Sequence, residues 1–182
     1  MAEALLPLAP QAGFEAPFEL LQACHERVQR SLALMARLQQ HLLEVGCDDN
    51  ARQAARDVLR YFDVAAPLHH QDEELHVFPP LLLGADAGLR TLVRTLMQDH
   101  RDMEVAWGHA REVLLAIAED RLGVLALSVS QTGALDQFAA LYGQHIAHEE
   151  GLAYPAAQAV LSGTALHAMA QDMMQRRGVR TT

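Results

Sequence analysis

The sequence predicts an all-α fold, an up-down-up-down four-helix bundle with an extended N-terminal arm and a short C-terminal helix. Three observations predict it. Aromatic residues are only 5% of the 182, and Ala, Leu, Gln, Glu and Arg, which favour helices, displace the β-branched and aromatic residues that fill strands. Long stretches place apolar residues at steps of three, four and seven, the mark of one buried helix face. The connections between these stretches are short, which makes neighbours in sequence antiparallel neighbours in space.

Residues 1–17 carry Pro7, Pro10 and Pro17 and read as an extended arm, because each proline biases its predecessor away from the α region. The first helix begins near Phe18 and follows Leu21, His25, Val28, Leu32, Met35 and Leu42 along one face to Glu44, with Gly46 as its stop. Asp48, Asp49 and Asn50 offer caps for a second helix through about Leu75, closed by Pro79 and Pro80. Asp86 caps a third that reaches Glu119. A fourth spans Val124 to Leu152 ahead of Pro155, although Ser128, Val129, Ser130, Thr132 and Gly133 are weak helix formers and delay its secure start to Ala134. A last amphipathic stretch from Thr164 to Arg177 is bounded by Gly178. The domain reading is therefore an arm over 1–17, a bundle over 18–160, and a helix and tail over 161–182.

The formal charge of −9, from 14 Lys+Arg against 23 Asp+Glu, repels phosphate backbones and excludes nucleic acid as the expected partner. No apolar run approaches the roughly 18 residues of a membrane span. The first residues lack a basic segment ahead of their short apolar stretch, and Cys24 and Cys47 form no CxxC or paired framework. A cytoplasmic location is expected on both counts.

The strongest signal is an internal repeat. His69-His-Gln-Asp-Glu-Glu-Leu-His-Val-Phe-Pro79 aligns with His145-Ile-Ala-His-Glu-Glu-Gly-Leu-Ala-Tyr-Pro155, 76 positions later. His25 and His100 are 75 apart, and each stands nineteen residues before a glutamate, Glu44 or Glu119. Each half of the chain thus supplies one lone His and one HxxxE. Four positions along an α-helix turn through about 400° and rise roughly 6 Å, so His69 with Glu73, and His145 with Glu149, point the same way. Phe62, Phe138, Leu141 and Tyr142 share those inward faces, as do Val93, Leu96, Met97, Met103 and Trp107 with His100 and Glu104.

Four histidines and two or more carboxylates in a bundle core would be costly as bare charges, and a metal resolves that cost. A lone core His or a single HxxxE is more often a hydrogen-bonded or solvated group. The matched registers of both halves carry the metal reading. His70, His109 and His167 are assigned no metal role, His76 and His148 are at most outer partners, and Glu74 and Glu150 are hydrogen-bonding or surface groups. Cys24 lies about 100° off the face of His25, which argues against a thiolate ligand. Met35, Met97 and Met103 are core filler.

The order H…HxxxE…H…HxxxE resembles the hemerythrin-like, or HHE cation-binding, family over residues 18 to 160, and the EExxxFP and EExxxYP tails are similar to it too. The resemblance implies a bundle holding two non-haem iron ions with a bridging oxo or hydroxo group. Carried over, Glu73 and Glu149 bridge, His25 and His69 hold one iron, and His100 and His145 hold the other. Oxygen carriers of that family have a second histidine one turn after the lone His of the third helix, where this chain has Glu104. Its carboxylate is counted among the ligands. The open alternatives are that it leaves the position to water, binds only in the oxidised state, or only makes a hydrogen bond or points at solvent. A third carboxylate would favour ferric iron, which argues against reversible oxygen carriage. Mixed imidazole and carboxylate suits iron over zinc or calcium, and the His-then-Glu order disfavours a ferritin-type site.

The expected function is binding or sensing of a small oxidant, O2, NO or peroxide. The alternatives are a di-iron oxidoreductase acting on peroxide or NO, iron storage or buffering, and a purely structural bundle. The absence of a visible output module weighs against the sensing version. Neither nucleic acid nor membrane is an expected partner, and a homodimer is left open.

Overall fold

Pro17 begins the first helix, because a proline at the first helical position loses no hydrogen bond and has its φ preset. We describe the chain from a computed structural model covering residues 13–84, 86–121 and 127–179. Among the described residues every regular element is helical: α1 over Pro17–Glu44, α2 over residues 49–83, α3 over Ala87–Ala118, α4 over residues 129–160 and α5 over Gly163–Arg176. The expected arm lies mostly outside the described residues, and so does Val124, one of the expected starts of α4.

The caps follow the sequence. Asp48 accepts from Ala51 N–H at the head of α2, Asp86 from Leu89 N–H at α3, and Ser162 from Ala165 N–H at α5. The weak helix formers ahead of Ala134 turn out to be the start of α4: Ser128 and Gln131 close a reciprocal capping box. Gly46 and Gly178 take positive φ, 97° and 67°, just past the ends of α1 and α5.

Two boundaries differ from expectation. Pro79 and Pro80 do not end α2, which continues to Leu83, and Pro155 does not end α4, which continues to Val160. Each is preceded by a π turn, Glu73–Val77 in α2 and Glu149–Ala153 in α4. A third, Tyr61–Ala65, precedes Pro67. In all three the proline stands six residues after the first residue of the π turn. A proline removes one N–H and presses its ring on the carbonyl four residues earlier. Slipping the bond to i→i−5, as in Phe78 N–H to Glu73 O and Tyr154 N–H to Glu149 O, widens the turn there and lets the helix pass.

Two apolar clusters sandwich a polar layer. One holds Val28, Ala66, Met103, Tyr142 and Ile146; the other holds Leu21, Val77, Leu96 and Ala153. Buried between them in chain order lie His25, His69 with Glu73, His100, and His145 with Glu149. α5 adds Met169 and Met173 to the second cluster. No described helix is long and apolar enough to cross a membrane.

Candidate metal centre

Glu73 and Glu149 are fully buried, each at 0% exposure, and sit among four histidines exposed by 5% or less. Each carboxylate divides its oxygens between two histidine pairs. Glu73 Oε1 lies 3.4 Å from His69 Nε2 and 3.9 Å from His25 Nε2, while its Oε2 lies 3.5 Å from His100 Nε2. Glu149 Oε2 lies 3.0 Å from His25 Nε2, while its Oε1 lies 3.0 Å from His145 Nε2 and 3.7 Å from His100 Nε2. Both glutamates open a π turn, which continues the ligand-bearing face on a widened helix.

The far side of three imidazoles is held by carboxylates. His25 Nδ1 donates to Glu150 at 2.9 Å, His100 Nδ1 to Glu74 at 2.9 Å, and His145 Nδ1 to Asp99 at 3.2 Å. A carboxylate on Nδ1 fixes the tautomer that turns the Nε2 lone pair inward, as metal-binding histidines require. Tyr154 donates its hydroxyl proton to Glu73 Oε1, and its oxygen stands 3.2 Å from His25 Nε2. At the matching place in the first repeat, Phe78 has no hydroxyl, so the two halves are not equivalent.

Burial and the nearby charge of Glu149 drive the Glu73 carboxyl far up. Burial acts most strongly on Glu149 too, but the three imidazoles that face it, His100, His145 and His25, outweigh it and hold that carboxylate low. Burial and the neighbouring His25 push His69 down. Burial also opposes protonation of His145, yet Glu149 and Asp99 raise it overall.

The donors fit a cation. Glu73 Oε2, both oxygens of Glu149, and the Nε2 atoms of His100 and His145 are buried with no hydrogen-bond partner. Buried polar atoms are almost always paired, and the lone pairs of four imidazoles and two carboxylates converging with few protons between them are the chemistry of a cation site.

Of the residues expected from sequence, His25, His69, Glu73, His100, His145 and Glu149 come together. Glu104 does not: it is exposed and outside both groups of candidate ligands. On α3 the buried place one turn beyond His100 is taken by Met103, three residues on, and Glu104 next to it faces solvent. His76 pairs with Asp172 on α5 at 2.7 Å, and His148 with Gln144 at 3.0 Å. Glu74 and Glu150 are hydrogen-bonding partners.

Sequence reasoning missed Asp99, Tyr154 and His70. The aromatic slot of the repeat, Phe in one half and Tyr in the other, was the available signal for Tyr154. His70 stacks on His100 with ring centroids 3.9 Å apart and planes 8° from parallel. It lies close enough to His100 and His145 to be grouped with them. An imidazole binds a cation in its own plane, so a cation held by His100 cannot also lie in the plane of this parallel ring.

A family model described as the hemerythrin HHE cation binding domain matches residues 16–157. The chain belongs to that family. The hemerythrin match spans the whole polar layer, and the His and Glu cluster is its cation-binding centre. Along nearly its full length the chain is also similar to an uncharacterized protein of Haemophilus influenzae, 33% identical over 177 residues, which cover 95% of this chain and 98% of that one. The hemerythrin match stops before α5, whereas the match to this relative reaches into it.

Proposed function

We propose that this hemerythrin-family protein holds two iron ions in its polar layer and binds or senses a small oxidant there, O2, NO or peroxide. One observation carries the reading: each of two buried carboxylates points one oxygen at the His25/His69 pair and the other at the His100/His145 pair. Two bridges and four imidazoles suit a pair of cations better than one. The ligands are His25 and His69 on one side, His100 and His145 on the other, and Glu73 and Glu149 between them. Glu104 is left out of this set. The bundle domain, 18–160, runs up-down-up-down, a reading supported by the order of the two apolar clusters, which reverses from each long helix to the next.

Two irons supply reversible one-electron chemistry and a Lewis-acidic position for a small ligand. The chain's own residues do the rest. Glu74, Glu150 and Asp99 orient three imidazoles, the flanking apolar clusters exclude water, and Glu73 accepts a hydrogen bond from the Tyr154 hydroxyl. Elemental analysis and an optical spectrum of aerobic protein, taken before and after reduction and re-exposure to oxygen, test the proposal. Near two irons per chain and a near-ultraviolet band that reduction bleaches are expected. Substoichiometric metal with no redox-dependent spectrum would overturn it.

A second reading, an oxidoreductase acting on peroxide or NO, is favoured by the Tyr154 hydroxyl, a proton source placed inside the polar layer. Steady consumption of peroxide under an added reductant, lost in Tyr154→Phe with iron retained, distinguishes turnover from binding.

A further inference from the structure

A cavity of about 420 Å³ opens between α2, α3 and α4. Its inner end is the stacked pair His70 and His100, and Arg101, Glu104 and Gln71 stand among its polar lining. The wall is one continuous aromatic cluster. Phe62 lies 4.9 Å from Phe138 and 5.1 Å from Trp107, and Phe138 lies 5.1 Å from Trp107 and 5.3 Å from Tyr142. Three of these four are at least nine-tenths buried.

The size is the informative feature. A water molecule's share of liquid volume is about 30 Å³, and a diatomic gas needs little more; benzene fits an apolar cavity of about 150 Å³. Volumes of roughly 300–1,000 Å³ belong to sites for organic ligands. The lining chemistry narrows the class. Aromatic faces favour a flat ring, by offset or edge contacts. Arg101, Glu74 and Glu104 together bring both signs of charge to the lining and leave no strong preference for a charged ligand. His70 is a polar group at the inner end, an imidazole whose ring nitrogens can exchange a hydrogen bond with a hydroxyl.

We propose that this cavity binds a neutral, flat aromatic molecule of roughly ten non-hydrogen atoms, bearing a hydroxyl or hydroperoxyl end that meets His70. The aromatic body lies against Phe62, Trp107, Phe138 and Tyr142, and the polar end lies beside the His100 half of the polar layer. The inference rests on the metal-centre reading for its inner end, since the cavity then delivers an organic molecule to the centre. Binding itself requires only the cavity. His70 is a positioning group in this assignment and not a ligand, consistent with its parallel stacking on His100.

Trp107 is the chain's one tryptophan and lies in the wall, so its emission reports occupancy directly. Purified full-length protein, with iron measured on the same sample, is titrated with 2-phenylethanol. A saturable change with a half-point on the order of 0.1–1 mM is expected for a ligand of this size. Gln71→Phe, which plugs the cavity from an exposed position on α2, should raise the half-point about tenfold or more with helicity and iron content unchanged. Glu104→Phe plugs it from α3 and serves where the first variant does not fold. A linear, non-saturating change, or an unaltered half-point in a folded plugged variant, overturns the inference. Two irons per chain without saturable binding leave the metal centre standing and remove this site. Saturable binding in iron-free protein whose spectrum never responds to redox supports the site and removes the metal centre.

Discussion

Glu150 holds His25 across 125 positions of sequence, its Oε1 accepting from Nδ1 at 2.9 Å. Glu74 holds His100 in the same way at 2.9 Å. The lone histidine of each half is therefore oriented by the residue after the other half's HxxxE, so the duplicated halves are crossed through their outer hydrogen bonds. Glu150→Gln and Glu74→Gln keep the size of the side chain and remove the charge that makes imidazole a better donor. Each should weaken metal binding about 10- to 100-fold, read by competition with a chelator of known affinity. Unchanged affinity in both would show that these contacts do not tune the centre.

Removing both bridges has a larger effect. Glu73→Ala combined with Glu149→Ala leaves four imidazoles with no compensating charge, and the variant should purify without metal. Glu104→Ala, changed at an exposed position outside the cluster, should retain near-parental iron. Near two irons per chain in the double variant, or clear iron loss in Glu104→Ala, would each reassign the ligands.

Asp72 is buried at 0% exposure and clamped by two arginines of the C-terminal segment, Arg176 and Arg177, the latter through both carboxylate oxygens. It immediately precedes Glu73, so the clamp bears on the ligand-bearing stretch of α2. Arg176→Gln with Arg177→Gln leaves an uncompensated buried carboxylate, a change that typically costs about 3–5 kcal/mol. Urea unfolding followed by circular dichroism measures it. A loss below about 1 kcal/mol, the scale of an exposed pair, would show that the two arginines do not compensate the buried carboxylate.

Asp172 fastens α5 to His76 of α2 at 2.7 Å and, within α5, accepts from Arg176 at 2.9 Å. The His76 hydrogen bond first, then that of Arg176, hold its carboxyl below the usual range against the opposing effect of burial. A carboxylate depressed in the folded state stabilises fully above its unfolded value of about 3.9, and that stabilisation is lost as pH falls through the lower folded value. Asp172→Asn should therefore make the parent's stability advantage shrink below about pH 4, in melts recorded from pH 6 to 3. A gap between the two proteins that stays constant with pH would exclude this carboxylate from the acid response.

The helices and the six inward donors were legible because both depend on local spacing. The 3.6-residue period puts His69 with Glu73, and His145 with Glu149, on one face whatever lies opposite, and the repeat shows that both halves use that face. The prolines misled the boundaries for a local reason as well. A proline ends a regular i→i−4 ladder, but a π turn placed ahead of it absorbs the missing bond, and nothing in a helical period announces that slip. The spacing common to Pro67, Pro79 and Pro155 becomes visible only beside the three π turns.

By itself, then, the sequence determined the helical class, the register of His25, His69, Glu73, His100, His145 and Glu149, and the need for a cation among them. Periodicity and charge burial act within one helix or on the core as a whole, so no neighbour had to be known. The tertiary structure alone decided the relations between helices. It placed Glu104 outside the cluster, stacked His70 on His100, set the Tyr154 hydroxyl against Glu73, paired Glu150 with His25, and laid α5 on Asp72. Each of these depends on how far one helix is rotated and displaced against another. Close packing of side chains from distant parts of the chain sets those distances, and a one-dimensional period carries no information about them.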